Sequence, residues 1–156
     1  MSDEHIFKLD ISDQLAGAVG QMTLYFGHLD WSVKELIIKM LECPPHQAQM
    51  VVSLLSFRDQ LNMMVWLYQR REDKPVELDR LKELRKSIKK IEERRNEITH
   101  GMLIPAGDEI LSGMKLRRHK PGGKFLRETI DSLRELNGKM QLAIGQLINL
   151  SFSDPT

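Results

Sequence analysis

The chain has 156 residues, enough for one domain whose core needs no disulfide or metal to hold it together. Its single cysteine, Cys43, excludes an internal disulfide, and no long uncharged apolar run is present to form a signal peptide or a membrane span. The net charge of +1 gives no overall electrostatic bias. We therefore expect one soluble, cytoplasmic domain over residues 1–156.

The charges are nevertheless unevenly distributed along the chain. Six basic residues and one acid fall between Arg80 and Lys90, and a second basic cluster runs from Lys115 to Arg127 without an acid. Such clusters permit the binding of a phosphate-rich ligand. A solvated helix face gives the same counts, so the sequence leaves both interpretations open.

The first predicted helix begins near Ile11 and ends before Cys43-Pro44-Pro45. Ser12 or Asp10 can cap its start. Its apolar residues recur at alternating steps of four and three, the spacing of one buried helix face. They are Leu15, Val19, Met22, Phe26, Leu29, Val33, Leu36 or Ile37, and Met40.

Two more helices are expected in the middle of the chain. The second region spans about His46 to Gln69, with a possible break near Ser53 to Ser56. A polar turn then precedes the third helix, from about Val76 to Thr99, and Gly101 is a plausible helix stop. The inward positions of the second region are Leu54, Phe57, Leu61, Met64 or Val65, and Tyr68. Those of the third helix are Leu81, Leu84, Ile88, Ile91 and Ile98.

Residues 102–123 form an irregular insert, because prolines and glycines interrupt any helical period. Two short strands fit around Met102 to Ile104 and Ile110 to Leu116, with a turn at Ala106-Gly107-Asp108. A last helix is predicted from about Phe125 to Leu150. The sum is an all-α protein, an up-down four-helix bundle with a short β-hairpin-like insert between helices 3 and 4.

The aromatic residues are few and stand mostly at core spacing. Trp31, beside the apolar stripe of the first helix, is expected to pack and not to recognise a ligand. The pattern therefore predicts no aromatic platform on which nucleic-acid bases would stack.

The segment with the most chemical character is Arg94-Arg95-Asn96-Glu97-Ile98-Thr99-His100-Gly101, at the end of the third predicted helix. The apolar spacing of that helix lacks one member, and Arg95 occupies the missing position between Ile91 and Ile98. An arginine on a buried face is costly unless it is paired or faces a cleft. Arg95 is therefore both a structural problem and a functional candidate.

Other chemical constellations are weak. Glu97-x-x-His100 has the spacing of carboxylate-bridged metal sites in helical bundles, but such sites need two copies and the sequence has one. Cys43, at a helix end beside two prolines, is interpreted as structural. The sequence has no glycine-rich phosphate loop and no serine elbow, which excludes P-loop nucleotide hydrolysis and a serine triad. We expect no metal and no cofactor.

The motif at the end of the third helix resembles the signature of the HEPN domain family, helical proteins marked by Arg-x4-6-His with a polar residue, often asparagine, after the arginine. Arg95, Asn96 and His100 match that pattern residue by residue, and Gly101 fits the Arg-Asn-x-x-x-His-Gly form of many bacterial members. The order of elements also agrees, with helices before the motif and a variable insert and a helix after it. As architecture the resemblance covers most of the chain, but as motif it covers only these few residues.

The resemblance implies a metal-independent endoribonuclease of the toxin or phage-defence type. In such an enzyme His100 would transfer a proton, Arg95 would hold the phosphate oxygens, and Asn96 would orient the histidine or the ribose. The product would be a 2′,3′-cyclic phosphate. The expected partners are RNA, a second copy of the chain, and a cognate antitoxin or another protein, with no membrane.

Two features bear on how such a site would be built. Residues five apart on an ideal helix point about 140° away from each other, so Arg95 and His100 do not share a face. Either the last helical turn distorts, or two helix ends meet across a two-fold axis, as the resemblance implies. The insert adds four candidates for contact with an RNA backbone, unless they form only a soluble loop. They are Arg117, Arg118, His119 and Lys120.

A second interpretation needs no substrate. Arg95 would pair with an acid such as Glu35 or Glu92, while Asn96 and His100 would hydrogen-bond along the helix and cap it. The protein would then be a noncatalytic HEPN-like module for protein binding, RNA binding or assembly. The sequence alone leaves this alternative open beside the enzyme.

Overall fold

A computed structural model describes residues 11–70, 75–100, 102–113 and 126–152. The helices are α1 (Asp13–Met40), α2 (Pro45–Ser53), α3 (Phe57–Gln69), α4 (Pro75–His100) and α5 (Ile130–Phe152). The strands are β1 (Met102–Ala106), β2 (Glu109–Gly113) and β3 (Leu126–Thr129). The predicted all-α class with a small β insert before the last helix is confirmed. Among the described helices, none combines the length and the apolar content that crossing a membrane requires.

Helix α1 follows its predicted limits. The Ser12 hydroxyl caps the start by accepting a hydrogen bond from the backbone N–H of Leu15 at 3.2 Å. The helix ends at Met40, and its cap residue Leu41 is in extended backbone just before the prolines at positions 44 and 45. The face defined by the four-three spacing packs on the core, and five of its members are fully buried. They are Leu15, Met22, Leu29, Val33 and Ile37.

The second helical region is divided at the predicted break. Helix α2 ends at Ser53, and the Ser56 hydroxyl caps the start of α3. Gln60 is 3% exposed, and its side-chain amide donates hydrogen bonds to the carbonyl oxygens of Val52 and Leu55 at 3.3 and 3.1 Å. The Val52 carbonyl also accepts a hydrogen bond from the backbone N–H of Leu55 at 3.2 Å, so the side chain of Gln60 adds to the backbone bonds that hold the corner in place.

Helices α1, α3, α4 and α5 enclose the core, each packing on two of the others, and α2 packs on α1. Helices α3 and α4 are antiparallel. Tyr68 near the end of α3 donates a hydrogen bond to Glu77 near the start of α4 at 2.6 Å, whereas Asn62, earlier on α3, accepts one from Arg85, later on α4. The break between α2 and α3 gives five helices among the described residues, where four were predicted.

The insert is a three-stranded antiparallel sheet in the order β1-β2-β3. The predicted hairpin forms, turning at Gly107, whose φ of 63° suits glycine. The third strand was not predicted, because residues 126–129 were assigned to the last helix, which begins only at Ile130. The backbone N–H of Thr129 donates to the Ser132 hydroxyl at 2.9 Å, and the backbone N–H of Ser132 donates to the Thr129 hydroxyl at 3.1 Å. This reciprocal cap starts α5 after the strand.

Burial confirms the predicted stripe of α4 and corrects two other positions. Trp31, expected to pack, is 57% exposed, because it lies on the face of α1 opposite the core. Leu54, expected to point inward, is 85% exposed at the corner after α2. The buried stripe of α4 is Leu81, Leu84, Ile88, Ile91 and Ile98.

Candidate functional site

The end of α4 carries the three motif residues on two different faces. Ile91 and Ile98 are buried, and Arg95 lies between them in sequence on the same face, half-buried. Asn96 and His100 are one turn apart on another side, about 40° from each other on an ideal helix. The α-helix continues to His100, so no distortion of the last turn brings Arg95 and His100 onto one face.

Arg95 lies against an aromatic side chain of α1. Its guanidinium carbon is 4.5 Å from the ring centre of Phe26, and that ring packs on Phe57 with 5.2 Å between ring centres. Nη1 of Arg95 donates a hydrogen bond to Oδ1 of Asn96 at 2.9 Å. The Nε atom is buried and has no hydrogen-bond partner among the described residues. A buried donor in this state costs about 1–3 kcal/mol, so stability alone does not account for an arginine here.

A second buried polar atom without a partner lies one turn before Arg95. Oε2 of Glu92 is enclosed and accepts no hydrogen bond within the described ranges. The noncatalytic interpretation expected Arg95 to pair with an acid such as Glu35 or Glu92. Among the described residues, neither of these two acids forms an ion pair with Arg95. Sequence reasoning considered Glu92 only as a pairing partner, because nothing in the helical pattern signals that one of its oxygens is buried.

His100 is exposed at the end of α4. Asn96 is half-buried, and its Oδ1 atom accepts the hydrogen bond from Arg95. No hydrogen bond joins Asn96 to His100 in the described structure, so the helix-capping pair of the noncatalytic interpretation is not formed. The imidazole is therefore accessible to an incoming group, while the amide fixes the guanidinium.

Arg94, the neighbouring arginine of the motif, has a structural partner. Its Nη2 atom lies 2.9 Å from Oε2 of Glu128, whose side chain is only 2% exposed. The Ser132 hydroxyl donates a second hydrogen bond to the same oxygen at 2.6 Å. Because Glu128 lies in β3 and Ser132 in α5, this pair ties the end of α4 to the start of the last helix. Of the two consecutive arginines, Arg95 is thus the one with an unsatisfied donor.

The four insert residues predicted to contact RNA lie outside the described residues, and that prediction stays open. They are Arg117, Arg118, His119 and Lys120. The described part of the insert ends at Gly113 and resumes at Leu126.

A groove runs between α4 and α5 in the described structure. Two depressions of about 650 and 660 Å³ lie along it and share Leu84, Ser87 and Gln146. Neither contains Arg95, Asn96 or His100. The walls of both hold no histidine and none of the buried polar atoms that lack a partner. We therefore place the candidate site at the end of α4, where the three motif residues lie. The groove is concave but lacks these three residues.

Two of the described side chains outside the motif have shifted pKa values, and both belong to ion pairs at the surface. A hydrogen bond from Lys139 lowers the pKa of the Glu135 carboxyl group, and Glu109 raises the pKa of Arg127. Within the described ranges, no three His, Cys, Asp or Glu side chains are grouped so as to hold a metal ion. The chemical character of the candidate site thus rests on Arg95, Asn96 and His100.

Comparisons with protein-family models, curated proteins and solved structures find no match for this chain. The resemblance to HEPN domains therefore rests on the motif residues and on the order of the helices.

Proposed function

We propose that the protein is a metal-independent endoribonuclease of the toxin or phage-defence type, acting in the cytoplasm as a homodimer. The observation that supports the proposal is the buried Nε donor of Arg95, which is unpaired among the described residues. Its guanidinium group lies over the ring of Phe26 and donates a hydrogen bond to Asn96, yet its buried Nε donor has no partner in the described structure. Stability alone therefore does not account for an arginine at this position, and arginine binds phosphate through several N–H groups at once.

The chemistry requires only groups that the chain supplies. His100 accepts the proton of a ribose 2′-hydroxyl, whose oxygen then forms a bond to the adjacent phosphorus. The bond from phosphorus to the 5′-oxygen breaks, and that oxygen takes up a proton from solvent. Arg95 neutralises the charge that accumulates on the nonbridging oxygens, and Asn96 keeps its guanidinium in place. The products are a 2′,3′-cyclic phosphate and a 5′-hydroxyl.

We propose the homodimer because of the separation of Arg95 and His100. Arg95 and His100 point about 140° apart on a regular helix, so one helix end does not direct both at one phosphate. Two copies related by a two-fold axis place the Arg95 of one helix end opposite the His100 of the other. The active pocket is then composite, and a monomer is inactive.

The test is incubation of the purified protein with mixed RNA in excess EDTA. We expect fragments that end in 2′,3′-cyclic phosphate, and no cleavage by Arg95→Ala or His100→Ala. Matched controls are Arg134→Ala, a 64% exposed arginine on α5, and His46→Ala, an exposed histidine on α2, which should cleave like the unmodified protein. If the protein is a folded dimer and the RNA stays intact, the proposed ribonuclease function is refuted.

The alternative is a noncatalytic helical module that binds protein or RNA, with a cognate antitoxin among its possible protein partners. The observation that favours it is the exposure of large apolar side chains on the outer face of α1, where Leu24 is 70% and Trp31 57% exposed. Exposed apolar residues on one face are typical of contact surfaces between proteins. Under this alternative, Trp31→Ala weakens binding of a protein partner, and Arg95→Ala leaves it unchanged.

A further inference from the structure

Helices α3 and α4 present two exposed rows of side chains next to each other. Each row has three residues at single-turn intervals, and the hydrogen bond from Arg85 to Asn62 joins the rows. We call this surface the α3–α4 ridge. It consists of Asn62, Trp66 and Arg70 on α3 and Lys82, Arg85 and Lys89 on α4.

An aromatic ring stands on this ridge. Trp66 is 50% exposed, and the guanidinium carbon of Arg70 lies 4.1 Å from its ring centre. An indole and a guanidinium plane are the two kinds of side chain on which unpaired bases stack. The sequence predicted no such platform, because the aromatic residues stand mostly at core spacing.

The cations of the ridge are available to a ligand. Lys82 pairs with Asp79 and Lys89 pairs with Glu93, and both ion pairs measure 3.9 Å, close to the outer limit of such a contact. The side chains of Lys82 and Lys89 are 42% and 50% exposed. Exposed pairs of this kind contribute little, so a phosphate group displaces them at low cost.

The ridge continues into the candidate site. Lys82, Arg85, Lys89, Asn96 and His100 follow at steps of three, four, seven and four, which places all five within about 60° of one helix face. The distance from Lys82 to His100 along the axis is about 27 Å at 1.5 Å per residue. A strand lying on the ridge therefore reaches the accessible imidazole without crossing to another face.

We propose that the α3–α4 ridge binds single-stranded RNA and directs it to His100, with Trp66 stacking on a base and Lys82 and Lys89 holding phosphates. This inference rests on the proposed ribonuclease function and names how its substrate is held. Single strands are the substrate class, because stacking on Trp66 requires an unpaired base.

The probe is a fluorescein-labelled 2′-O-methyl oligouridylate of about 20 nucleotides, longer than a typical single-strand site of about 4–16 nucleotides. It lacks the 2′-hydroxyl, so the unmodified protein binds it without cleaving it. Binding is measured by anisotropy between about 50 and 200 mM salt. The charge variant is Lys82→Gln/Lys89→Gln, and its control is Arg134→Gln/Lys139→Gln, two exposed cations on α5.

For the charge variant we expect weaker binding and a slope of log K against log salt that is smaller by about 1.4, or about 0.7 for each lost phosphate contact. Trp66→Ala should weaken binding roughly tenfold without changing the slope. Its control is Trp31→Ala, an equally exposed tryptophan on α1. Both controls should bind like the unmodified protein, and circular dichroism checks that each variant is folded.

The outcomes separate this inference from the proposed function. If the ridge variants and their controls bind RNA equally well, RNA binding by the α3–α4 ridge is refuted, but the proposed ribonuclease function is not. Cleavage of ordinary RNA in EDTA without measurable binding of the probe also refutes RNA binding by the ridge and leaves the proposed ribonuclease function intact. Failure both to bind and to cleave overturns the two proposals together. A duplex probe bound as tightly as the single strand contradicts the stacking role of Trp66.

Discussion

The guanidinium group of Arg95 on α4 is held over the ring of Phe26 on α1, with 4.5 Å from its central carbon to the ring centre. A ring face attracts a cation without using any of its N–H donors. The contact therefore fixes the direction of the side chain and leaves Nε unsatisfied within the described structure. An arginine that only stabilised the fold would be expected to use that donor.

The first prediction follows from this relationship. Arg95→Met places an apolar side chain on the buried stripe of α4 and removes the unsatisfied donor. We expect the free energy of unfolding to rise by about 1 kcal/mol, or roughly 2–4 °C in Tm, while RNA cleavage is lost. Urea denaturation and the EDTA cleavage assay measure the two effects. A clear loss of stability would show that Arg95 is a structural residue.

The second prediction concerns the ion pair between Arg94 and Glu128. Arg94→Leu leaves a carboxylate that is 2% exposed, with the Ser132 hydroxyl as its one remaining side-chain partner among the described residues. We expect a loss of about 2 kcal/mol in urea denaturation, below the 3–5 kcal/mol of a fully buried pair because Arg94 is 46% exposed.

The matched variant for this pair is Arg94→Leu/Glu128→Leu. It removes both charges, so it should recover part of the lost stability. A double variant that is less stable than the sum of the single changes would contradict the pairing.

The third prediction compares two glycines. Gly20 lies on the exposed face of α1, where an added Cβ meets no atom within 4 Å, so Gly20→Ala should stabilise the protein by about 0.5–1 kcal/mol. Gly107→Ala also meets no atom, but its φ of 63° strains an alanine, and we expect a loss of about 1 kcal/mol. Thermal unfolding compares both with the unmodified protein. Destabilisation by Gly20→Ala would indicate that another chain packs against α1.

The fourth prediction tests the composite pocket. Arg95→Ala and His100→Ala are each inactive, but a mixed dimer keeps one intact pocket, formed by Arg95 of one copy and His100 of the other. Unfolding and refolding an equal mixture should restore about a quarter of the unmodified activity, because half the dimers are mixed and each has one pocket of two. A refolded mixture that stays inactive would refute pairing of these groups across the axis.

The helices were predictable because their periodicity is local. The stripes of α1 and α4 follow from the spacing of apolar residues, and the start of α1 follows from Ser12. Strand β3 was missed, because Leu126–Thr129 pairs with β2, a neighbour in space that the local pattern does not reveal. The exposure of Trp31 was missed because it depends on which face of α1 its neighbours leave uncovered.

The candidate site was predictable only in part. Arg95 was found because it interrupts a stripe, and that signal needs no knowledge of the fold. Phe26 was correctly assigned to the inner face of α1, but its contact with Arg95 joins two helices that are distant in sequence. Likewise, the buried oxygen of Glu92 depends on how α4 is covered, which periodicity does not report.

The break between α2 and α3 decides where the helix that covers α4 begins. Since α3 and α4 are antiparallel, α3 begins at Phe57 beside the middle of α4, and the turns bearing Asn96 and His100 extend past it. An uninterrupted helix would extend back from Phe57 along the last turns of α4. Gln60, which bonds to the carbonyls of this corner, thus helps to set where the cover of α4 stops, at a distance from the imidazole.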